Sequence, residues 1–408
     1  MRRPARWPWW VQVLAVYGIA RAVSAAIFIL VAATQAANPW TAEAPSYPQY
    51  TGRMWDAGWY REISENGYPA GLPRAADGSV LQNAWAFFPL FPALVRLVTA
   101  TGIGWDVAAP TLALLLGAAA MLVVHQVVAT AVADRGPDPS LANPERTPAE
   151  RWSGRLPLAA VAALATFASA PVLQVAYTES LALLLVATTL WCLQHRHYLP
   201  AIPVVLALGL TRAVALPLAV AVLAHGASRL RSTDRWRDRD RWRLGALLGA
   251  TLAGGVLWPA VVAARTGELR AYTETQAAWR GRGEVVPLVP WFDVARWLVG
   301  DLGLVVLAVL VAAAVLTVAS PTMGTLGPEL RWWTGGYLGF LLVAVEPGTS
   351  LLRFVLLAFP LAALLAGWAL RRRSWRVWLA VLLAIGVVGQ AGWIGLIWRL
   401  VPPAGWPP

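Results

Sequence analysis

The sequence predicts an all-α membrane protein, a polytopic bundle of transmembrane helices. Of its 408 residues, 58% are hydrophobic and only 13% are charged. Apolar runs long enough to cross a bilayer recur along the chain, and arginines collect in the stretches between them. No stretch is left for a separate water-soluble domain, so we expect residues 1–408 to form a single transmembrane domain.

The formal net charge of +12 is carried by arginine, because the chain contains no lysine. These arginines lie mainly in the loops between predicted spans, where membrane topology and contact with anionic lipid head groups explain them. We therefore expect a lipid bilayer and no nucleic acid among the partners. The single cysteine, Cys192, excludes a disulfide within the chain.

The first predicted span covers about Trp10 to Ala33. Arg2, Arg3 and Arg6 precede it and place the N-terminus in the cytoplasm by the positive-inside rule. Residues 34–106 then form the first extracytoplasmic loop, with juxtamembrane helices. Within that loop two prolines interrupt the apolar segment Trp85–Ala100, which is expected to lie on the outer leaflet or dip into it.

Arginine counts fix the remaining topology. The segments Arg135–Arg155, Arg229–Arg243 and Arg371–Arg376 are predicted to be cytoplasmic, and residues 265–291 to form a second outside loop. Together with the first span, the chain then makes roughly eleven crossings, several shorter than the ~20 residues a bilayer needs. After the first, the predicted spans are Val107–Val132, Leu156–Ala170, Gln174–Leu193, Tyr198–Leu210, Ala213–His225, Leu244–Ala264, Asp301–Pro321, Trp332–Val345, Leu351–Leu370 and Trp375–Leu400.

A short amphipathic helix is predicted in the first outside loop. Asp56 is interpreted as its N-cap, and Asn66-Gly67 as its end. One side carries Trp59, Tyr60 and Ile63, and the other largely carries Arg61, Glu62, Ser64 and Glu65. Such a helix lies in the interfacial plane, so Asp56 is a candidate for chemistry at the water–lipid boundary. The alternative is that Asp56 does no more than cap the helix.

Three further ionisable residues interrupt apolar runs at ends assigned to the outside: Glu179, Arg212 and Arg353. Charges at membrane depth are expensive, so these residues are functional candidates that together would line one cavity. An arginine fork binds phosphate oxygens in a bidentate manner, which suits a lipid phosphate. A buried Glu–Arg pair that fixes helix register is the structural alternative.

The segment Ala271–Arg282 brings Trp279 and Arg280 into the second outside loop, where they suit sugar hydroxyls and phosphate. A solvated loop explains the segment equally well. The four histidines, His125, His195, His197 and His225, show no metal-ligand spacing with carboxylates, so a packing or interfacial role is favoured. We predict no metal site and no cofactor, with dependence on a divalent metal left open.

Four motifs resemble those of a known family. They are Trp55-Asp56 followed by Tyr60, Ile63 and Asn66-Gly67-Tyr68; Phe87-Phe88-Pro89-Leu90-Phe91-Pro92; Ala176-Tyr177-Thr178-Glu179-Ser180-Leu181; and Thr211-Arg212. In this order they resemble the GPI mannosyltransferase 2 (PIG-V) family, within the GT-C superfamily of membrane glycosyltransferases. The C-terminal half resembles the family only through its span pattern and Arg353.

The resemblance implies an enzyme that moves a sugar, typically mannose, from a polyprenyl-phosphate donor to a glycolipid or glycan acceptor outside the plasma membrane. It implies that Asp56 is the general base, with Trp55 and Tyr60 beside it as substrate-binding candidates. The lysine-free composition is typical of a bacterial chain, so the family's GPI acceptor is not carried over. A single candidate base without a nearby carboxylate nucleophile favours inversion. The alternatives are a lipid-linked sugar transporter or flippase, and a non-catalytic assembly subunit.

Overall fold

A computed structural model describes residues 7–133, 154–231, 238–281, 286–402, 405 and 407–408. Within these residues the regular secondary structure is helical, and extended backbone pairs only in isolated bridges such as that between Arg74 and Val80. The prediction of an all-α fold is therefore confirmed for the described part of the chain. Arg2, Arg3, Arg6, Arg135 and Arg282, which entered the topology and loop predictions, lie outside the described residues.

We number the α-helices in chain order. The first nine are α1 (Trp9–Ala32), α2 (Tyr47–Arg53), α3 (Asp56–Asn66), α4 (Leu90–Thr99), α5 (Trp105–Ala133), α6 (Leu156–Ala165), α7 (Glu179–Gln194), α8 (Tyr198–Gly209) and α9 (Ala215–Arg231). The others are α10 (Asp238–Thr266), α11 (Ala271–Trp279), α12 (Val289–Val299), α13 (Leu302–Ala319), α14 (Pro321–Gly324), α15 (Gly327–Ala344), α16 (Leu351–Val355), α17 (Pro360–Leu370) and α18 (Trp375–Gly392). Two 3₁₀ turns (Ala84–Ala86 and Ala170–Gln174) and a π-helix (Trp393–Trp398) complete the described elements.

Five of the described helices are long and apolar enough to cross a membrane. They are α1, α5, α10, α13 and the continuous stretch Trp375–Trp398. Each coincides with a predicted span, because uninterrupted apolar runs of this length leave a helix as the only backbone state with all of its amides bonded. Several of the other predicted spans are shorter apolar helices of 10–17 residues.

Two predicted spans are interrupted. Leu156–Ala170 is helical only to Ala165, and Leu351–Leu370 divides into α16 and α17. Proline is the common cause: Pro171 follows the first break and Pro360 follows the second, and each lacks the N–H that a continuous helix needs. The continuous spans predicted over these ranges are therefore wrong in extent.

Polar side chains from neighbouring helices donate hydrogen bonds to the backbone carbonyls at the first break. Arg21 of α1 donates to the carbonyl of Ala165 at 2.6 Å and also to the carbonyl of Ala170. Gln390 of α18 donates to Ala165 O at 3.1 Å and Phe167 O at 3.3 Å. Irregular backbone inside an apolar protein is stable only when its carbonyls are bonded in this way, and these bonds fix the chain that leads into α7.

The predicted interruption of Trp85–Ala100 is confirmed. A 3₁₀ turn at Ala84–Ala86 is followed by α4, which begins after Pro89 and has 10 residues. At ~1.5 Å per residue α4 is about 15 Å long, half of a hydrocarbon core. Its position on the outer leaflet stays a prediction.

The central helices pack closely: α5 lies along α7, α8 along α10, α9 along α15, and α6 along α17. At the α8–α10 crossing, Gly209 faces the backbone of Gly254, and any Cβ on Gly209 would collide with it. Helix α13 instead lies at the edge, with large apolar side chains such as Leu302, Val309 and Leu316 exposed. Such a face suits lipid contact.

Candidate functional site

Helix α3 carries the candidate acid at its first residue. The helix runs from Asp56 to Asn66 and ends at Gly67, whose φ is 80°. The prediction that Asp56 is the N-cap is wrong, because the N-cap is Trp55, with φ 58° and no side-chain cap bond. The Asp56 carboxylate instead contacts the Arg353 guanidinium, Oδ2 to Nη2, at 2.6 Å. In this bond both the donor and the acceptor are ionised, whereas in a cap bond to backbone N–H only the carboxylate is.

The faces of α3 differ from the prediction at one position. Tyr60 and Ile63 are buried and Trp59 is half-buried, as expected, while Arg61 and Glu65 form an outward ion pair at 2.8 Å. Ser64, assigned to the polar side, is buried. It lies four residues after Tyr60 and therefore on the same face of the helix.

Glu179 holds two arginines. It is the first residue of α7, and its side chain is fully buried. Its Oε1 accepts from Arg212 Nη1 at 2.6 Å and from Arg353 Nη1 at 3.0 Å. The carboxylate therefore bridges both guanidiniums, at the positive end of the α7 dipole. The buried Glu–Arg contact on which the structural alternative depends is present.

Aromatic rings enclose the arginines. The Arg353 guanidinium carbon lies 4.9 Å from the ring centroids of Tyr177 and Phe354, and that of Arg212 lies 4.7 Å from Phe354. Arg212 also donates to Thr178 Oγ1 at 3.1 Å. Arginine tolerates such a desolvated, stacked environment because its planar charge is weakly hydrated. The result is a cluster of four charged residues, Asp56, Glu179, Arg212 and Arg353, which we call the charged network.

The four sequence motifs meet around this network. Tyr60 packs against Phe87 and Phe91, with ring centroids 5.3 and 5.8 Å apart. The backbone N–H of Leu90 donates to Leu210 O at 3.0 Å, which joins the proline-rich motif to the chain just before Thr211-Arg212. Tyr177 accepts from the Asp56 N–H at 3.2 Å. The motifs are thus in direct contact, although they are far apart in sequence.

Tyr60 and Trp55 lie on opposite sides of Asp56 in the sequence, and both are buried. The Tyr60 hydroxyl lies 3.4 Å from Thr178 Oγ1, and burial raises the pKa of Tyr60, so the phenol stays neutral. The Trp55 indole donates to Trp398 O at 2.7 Å, which ties the start of α3 to the π-helix. Trp55 is only 7% exposed, so its contacts support a role in positioning Asp56.

Trp279 and Arg280 belong to an anchored helix end, since the predicted loop contains α11. The Trp279 indole donates to Asn83 O at 3.2 Å, and its ring lies 5.2 Å from that of Trp59. Arg280 donates to Ala344 O at 3.0 Å, at the C-terminus of α15. Trp279 thus borders the site through Trp59, whereas the bond of Arg280 caps a helix.

The arrangement unites an acid with cations suited to phosphate. Two carboxylates and two guanidiniums make a formally balanced set, so a bound anion adds excess negative charge and competes with the carboxylates for the guanidinium N–H donors. Side-chain exposure is 20% for Asp56 and 15% for Arg212, but zero for Glu179. Asp56 and Arg212 are therefore the members that an incoming molecule can reach most directly. No group of three or more His, Cys, Asp or Glu side chains suited to a metal occurs among the described residues.

Comparison of the chain with protein-family models, curated proteins and solved structures finds no match. The fold and the charged network define the class directly. The chain is an all-helical protein with helices long and apolar enough to cross a membrane, consistent with a membrane protein. Its distinguishing feature is a largely buried cluster of two carboxylates and two arginines contributed by distant segments.

Proposed function

We propose that the protein is an inverting membrane glycosyltransferase. It would move a sugar, most simply mannose, from a polyprenyl-phosphate donor to a glycolipid or glycan acceptor. In this proposal the chain is a GT-C-type bundle with roughly eleven crossings, its N-terminus is cytoplasmic, and the charged network lies at the outer side of the plasma membrane. The observation that carries the proposal is the contact between the Asp56 carboxylate and the Arg353 guanidinium, at 2.6 Å.

The reaction needs one base and one phosphate-binding cation close together. An acceptor hydroxyl oxygen attacks the anomeric carbon, and Asp56 takes the hydroxyl proton as a new C–O bond forms. The bond between the anomeric carbon and the phosphate oxygen breaks, and the polyprenyl phosphate leaves with the electron pair. A single displacement of this kind inverts the anomeric configuration.

Arg212 and Arg353 would receive the phosphate. Each guanidinium offers several N–H donors, so it can keep its bond to Glu179 while binding phosphate oxygens. Fixed donors near developing negative charge stabilise a transition state more effectively than mobile water does. Glu179, fully buried between the two arginines, acts in this proposal as a positioning residue.

A transporter or flippase for a lipid-linked sugar is the second candidate. The broken helices around residues 166–178 and 356–359 favour it, because discontinuous helices beside buried charges are typical of transporter binding sites. The same breaks also bring Glu179 and Arg353 into contact, which supports the transferase proposal. The geometry therefore supports both candidate functions. Formation of a new covalent product distinguishes a transferase from a transporter.

The experiment is product formation in detergent, where no compartment remains to be crossed. Purified protein is incubated with polyprenyl-phosphate [¹⁴C]mannose and a glycolipid extract, and the label is followed into a new lipid product. A glycosyltransferase makes the product in detergent, and Asp56→Asn abolishes it. Label that moves only across intact vesicles, without a new covalent product, overturns the proposal in favour of transport.

A further inference from the structure

A second polar cavity lies away from the charged network. Its volume is about 410 Å³, and its lining includes Arg196, Arg229, Ser228, His225 and Glu329. Gln194, the last residue of α7, also lines it. Helix α7 has 16 residues and carries Glu179 at its first position. At ~1.5 Å per residue the cavity is about 24 Å from the network along this helix.

Two other helices, α5 and α15, also indicate that the cavity and the charged network lie at opposite ends of the bundle. The cavity meets Ala131 near the end of α5 and Gly327 at the start of α15. The opposite ends of these helices carry Asp106, which pairs with Arg53 in the first loop, and Ala344, which accepts from Arg280. The cavity therefore opens at the far end of the bundle from the network. In the predicted topology, this is the arginine-rich cytoplasmic end.

Two buried residues that line the cavity, His225 and Glu329, are bonded to each other, and Tyr198 contacts His225. His225 of α9 contacts Glu329 of α15, Nδ1 to Oε1, at 2.6 Å, and Tyr198 of α8 lies 2.9 Å from His225 Nε2. His225 is 3% and Glu329 is 8% exposed. The hydrogen-bonding capacity of a buried acid is met when it bonds to a histidine, so this part of the cavity lining is polar and held in place.

Two cationic residues, Arg196 and Arg229, also line the cavity. Arg229 lies in the last turn of α9, and Arg196 follows the C-cap of α7 with φ 61°. A left-handed φ at this position favours glycine, so an arginine there has a conformational cost. A guanidinium has five N–H donors and can serve an existing partner and an incoming oxygen together. The first turn of α15, at Gly327–Glu329, adds the positive end of a helix dipole.

We propose that this cavity, lined by Arg196, Arg229, Ser228 and the start of α15, binds a phosphate group. The lining holds two arginines and one carboxylate, and that carboxylate is already bonded to His225. Arginine and a helix N-terminus both favour phosphate oxygens. The phosphate would belong to an anionic lipid head group of the adjacent leaflet or to a soluble phosphate ester. The proposal concerns binding alone and does not rest on the transferase function.

The test measures thermal stabilisation of the full chain in phosphatidylcholine nanodiscs. One arm adds phosphatidylglycerol to the nanodisc, and the other adds inorganic phosphate or glycerol 3-phosphate at ionic strength matched with chloride. We expect a rise in Tm on binding. Arg229→Gln should raise the half-saturating concentration of the added phosphate compound at least about ten-fold. The matched control, Arg243→Gln, removes an arginine of α10 that pairs with Asp240 of the same helix and does not line the cavity.

The outcomes separate the sources of phosphate. Stabilisation by phosphatidylglycerol alone assigns the cavity to a lipid head group, and stabilisation by the soluble compounds alone assigns it to a phosphate ester. No stabilisation in either arm, or equal weakening in both variants, overturns the proposal.

A second measurement covers the case in which Arg229→Gln does not fold. Ser228→Cys keeps both arginines and places one thiol in the cavity lining, whereas the native Cys192 is only 4% exposed. Phosphate or phosphatidylglycerol should slow maleimide labelling of this variant above the background of the parent protein. Labelling at an unchanged rate contradicts the proposal.

Discussion

Asp56 and Arg353 are separated by 297 residues in the sequence, and their side chains meet at 2.6 Å. Arg353 also bonds to Glu179, which bonds to Arg212. One guanidinium thus joins the first residue of an amphipathic helix to the first residue of a buried one. The proposed base and the proposed phosphate-binding cations are held in contact by this pairing.

Asp56→Asn should remove the base while keeping the shape of the side chain. We expect transfer to fall about 10²–10⁴-fold, which is the usual contribution of a general base. The measurement is the rate of labelled product formation in detergent. The control is Asp77→Asn, which changes an exposed loop carboxylate bonded to Ser79. Activity near the parent level in Asp56→Asn would remove Asp56 from the mechanism.

Arg353→Lys keeps the charge but loses the planar fork that reaches Asp56 and Glu179 together. We expect the KM for the polyprenyl-phosphate donor to rise about ten-fold, the equivalent of one charge-assisted hydrogen bond. The KM for the acceptor should stay the same. Arg331→Lys is a suitable comparison, because Arg331 bonds to Ala319 O away from the network. Equal donor KM values in the two variants would argue against phosphate binding by Arg353.

Glu179→Gln tests the positioning role. The substitution removes the carboxylate charge that Arg212 and Arg353 share as a buried partner. Breaking a buried ion pair in this way typically lowers the free energy of unfolding by about 3–5 kcal/mol. We therefore expect a large fall in Tm by fluorescence-detected unfolding. Glu274→Gln, which removes an exposed partner of Arg74, should change Tm little. If both variants unfold at the parent temperature, Glu179 does not hold the network together.

The charged members of the site could be predicted from sequence, but their pairings could not. Glu179, Arg212 and Arg353 stand out because apolar runs rarely contain ionisable residues, and that reasoning needs no knowledge of neighbours. The role of Asp56 as an N-cap was inferred from local sequence alone. Local sequence cannot show that a guanidinium 297 residues away would compete for the same carboxylate.

The same limit explains other differences. Arg21 and Gln390 stabilise the break after α6, yet each lies within a predicted continuous span. Glu329 stands in the first turn of α15, where an acid is ordinary, so its bond to His225 had no sequence signal. Proline positions did indicate the short elements near residues 85–100, because the missing N–H acts locally.

Gly209→Ala tests the packing that places Arg212. A Cβ at Gly209 would collide with the backbone of Gly254 and separate α8 from α10. We expect a Tm lower by several degrees, from an overpacking cost of about 1–3 kcal/mol. Gly249→Ala is the matched control, since a Cβ there meets nothing within 4 Å. That variant should be neutral or more stable, because alanine favours a helix. A parent-like Tm for Gly209→Ala would show that the crossing can relax.

Trp55→Phe should show whether Trp55 positions Asp56 or binds the substrate. It retains an aromatic ring but loses the indole N–H that bonds to Trp398 O at 2.7 Å. If Trp55 positions Asp56, kcat falls and both KM values stay near those of the parent. Trp378→Phe, an exposed position on α18, is the control. A rise in donor KM with kcat unchanged would instead assign Trp55 to substrate binding.

The long chain separation within the network has a consequence for biosynthesis. Asp56 emerges from the ribosome well before Arg353, and at ~5–20 residues per second the interval is on the order of 15–60 s. Once Arg212 has been made, it can pair with Glu179, whereas Asp56 lacks its arginine partner until Arg353 follows. The nascent chain therefore completes its charge pairing only after Arg353 has been made, and slower elongation between Arg212 and Arg353 should expose the early helices longer to membrane quality-control proteases.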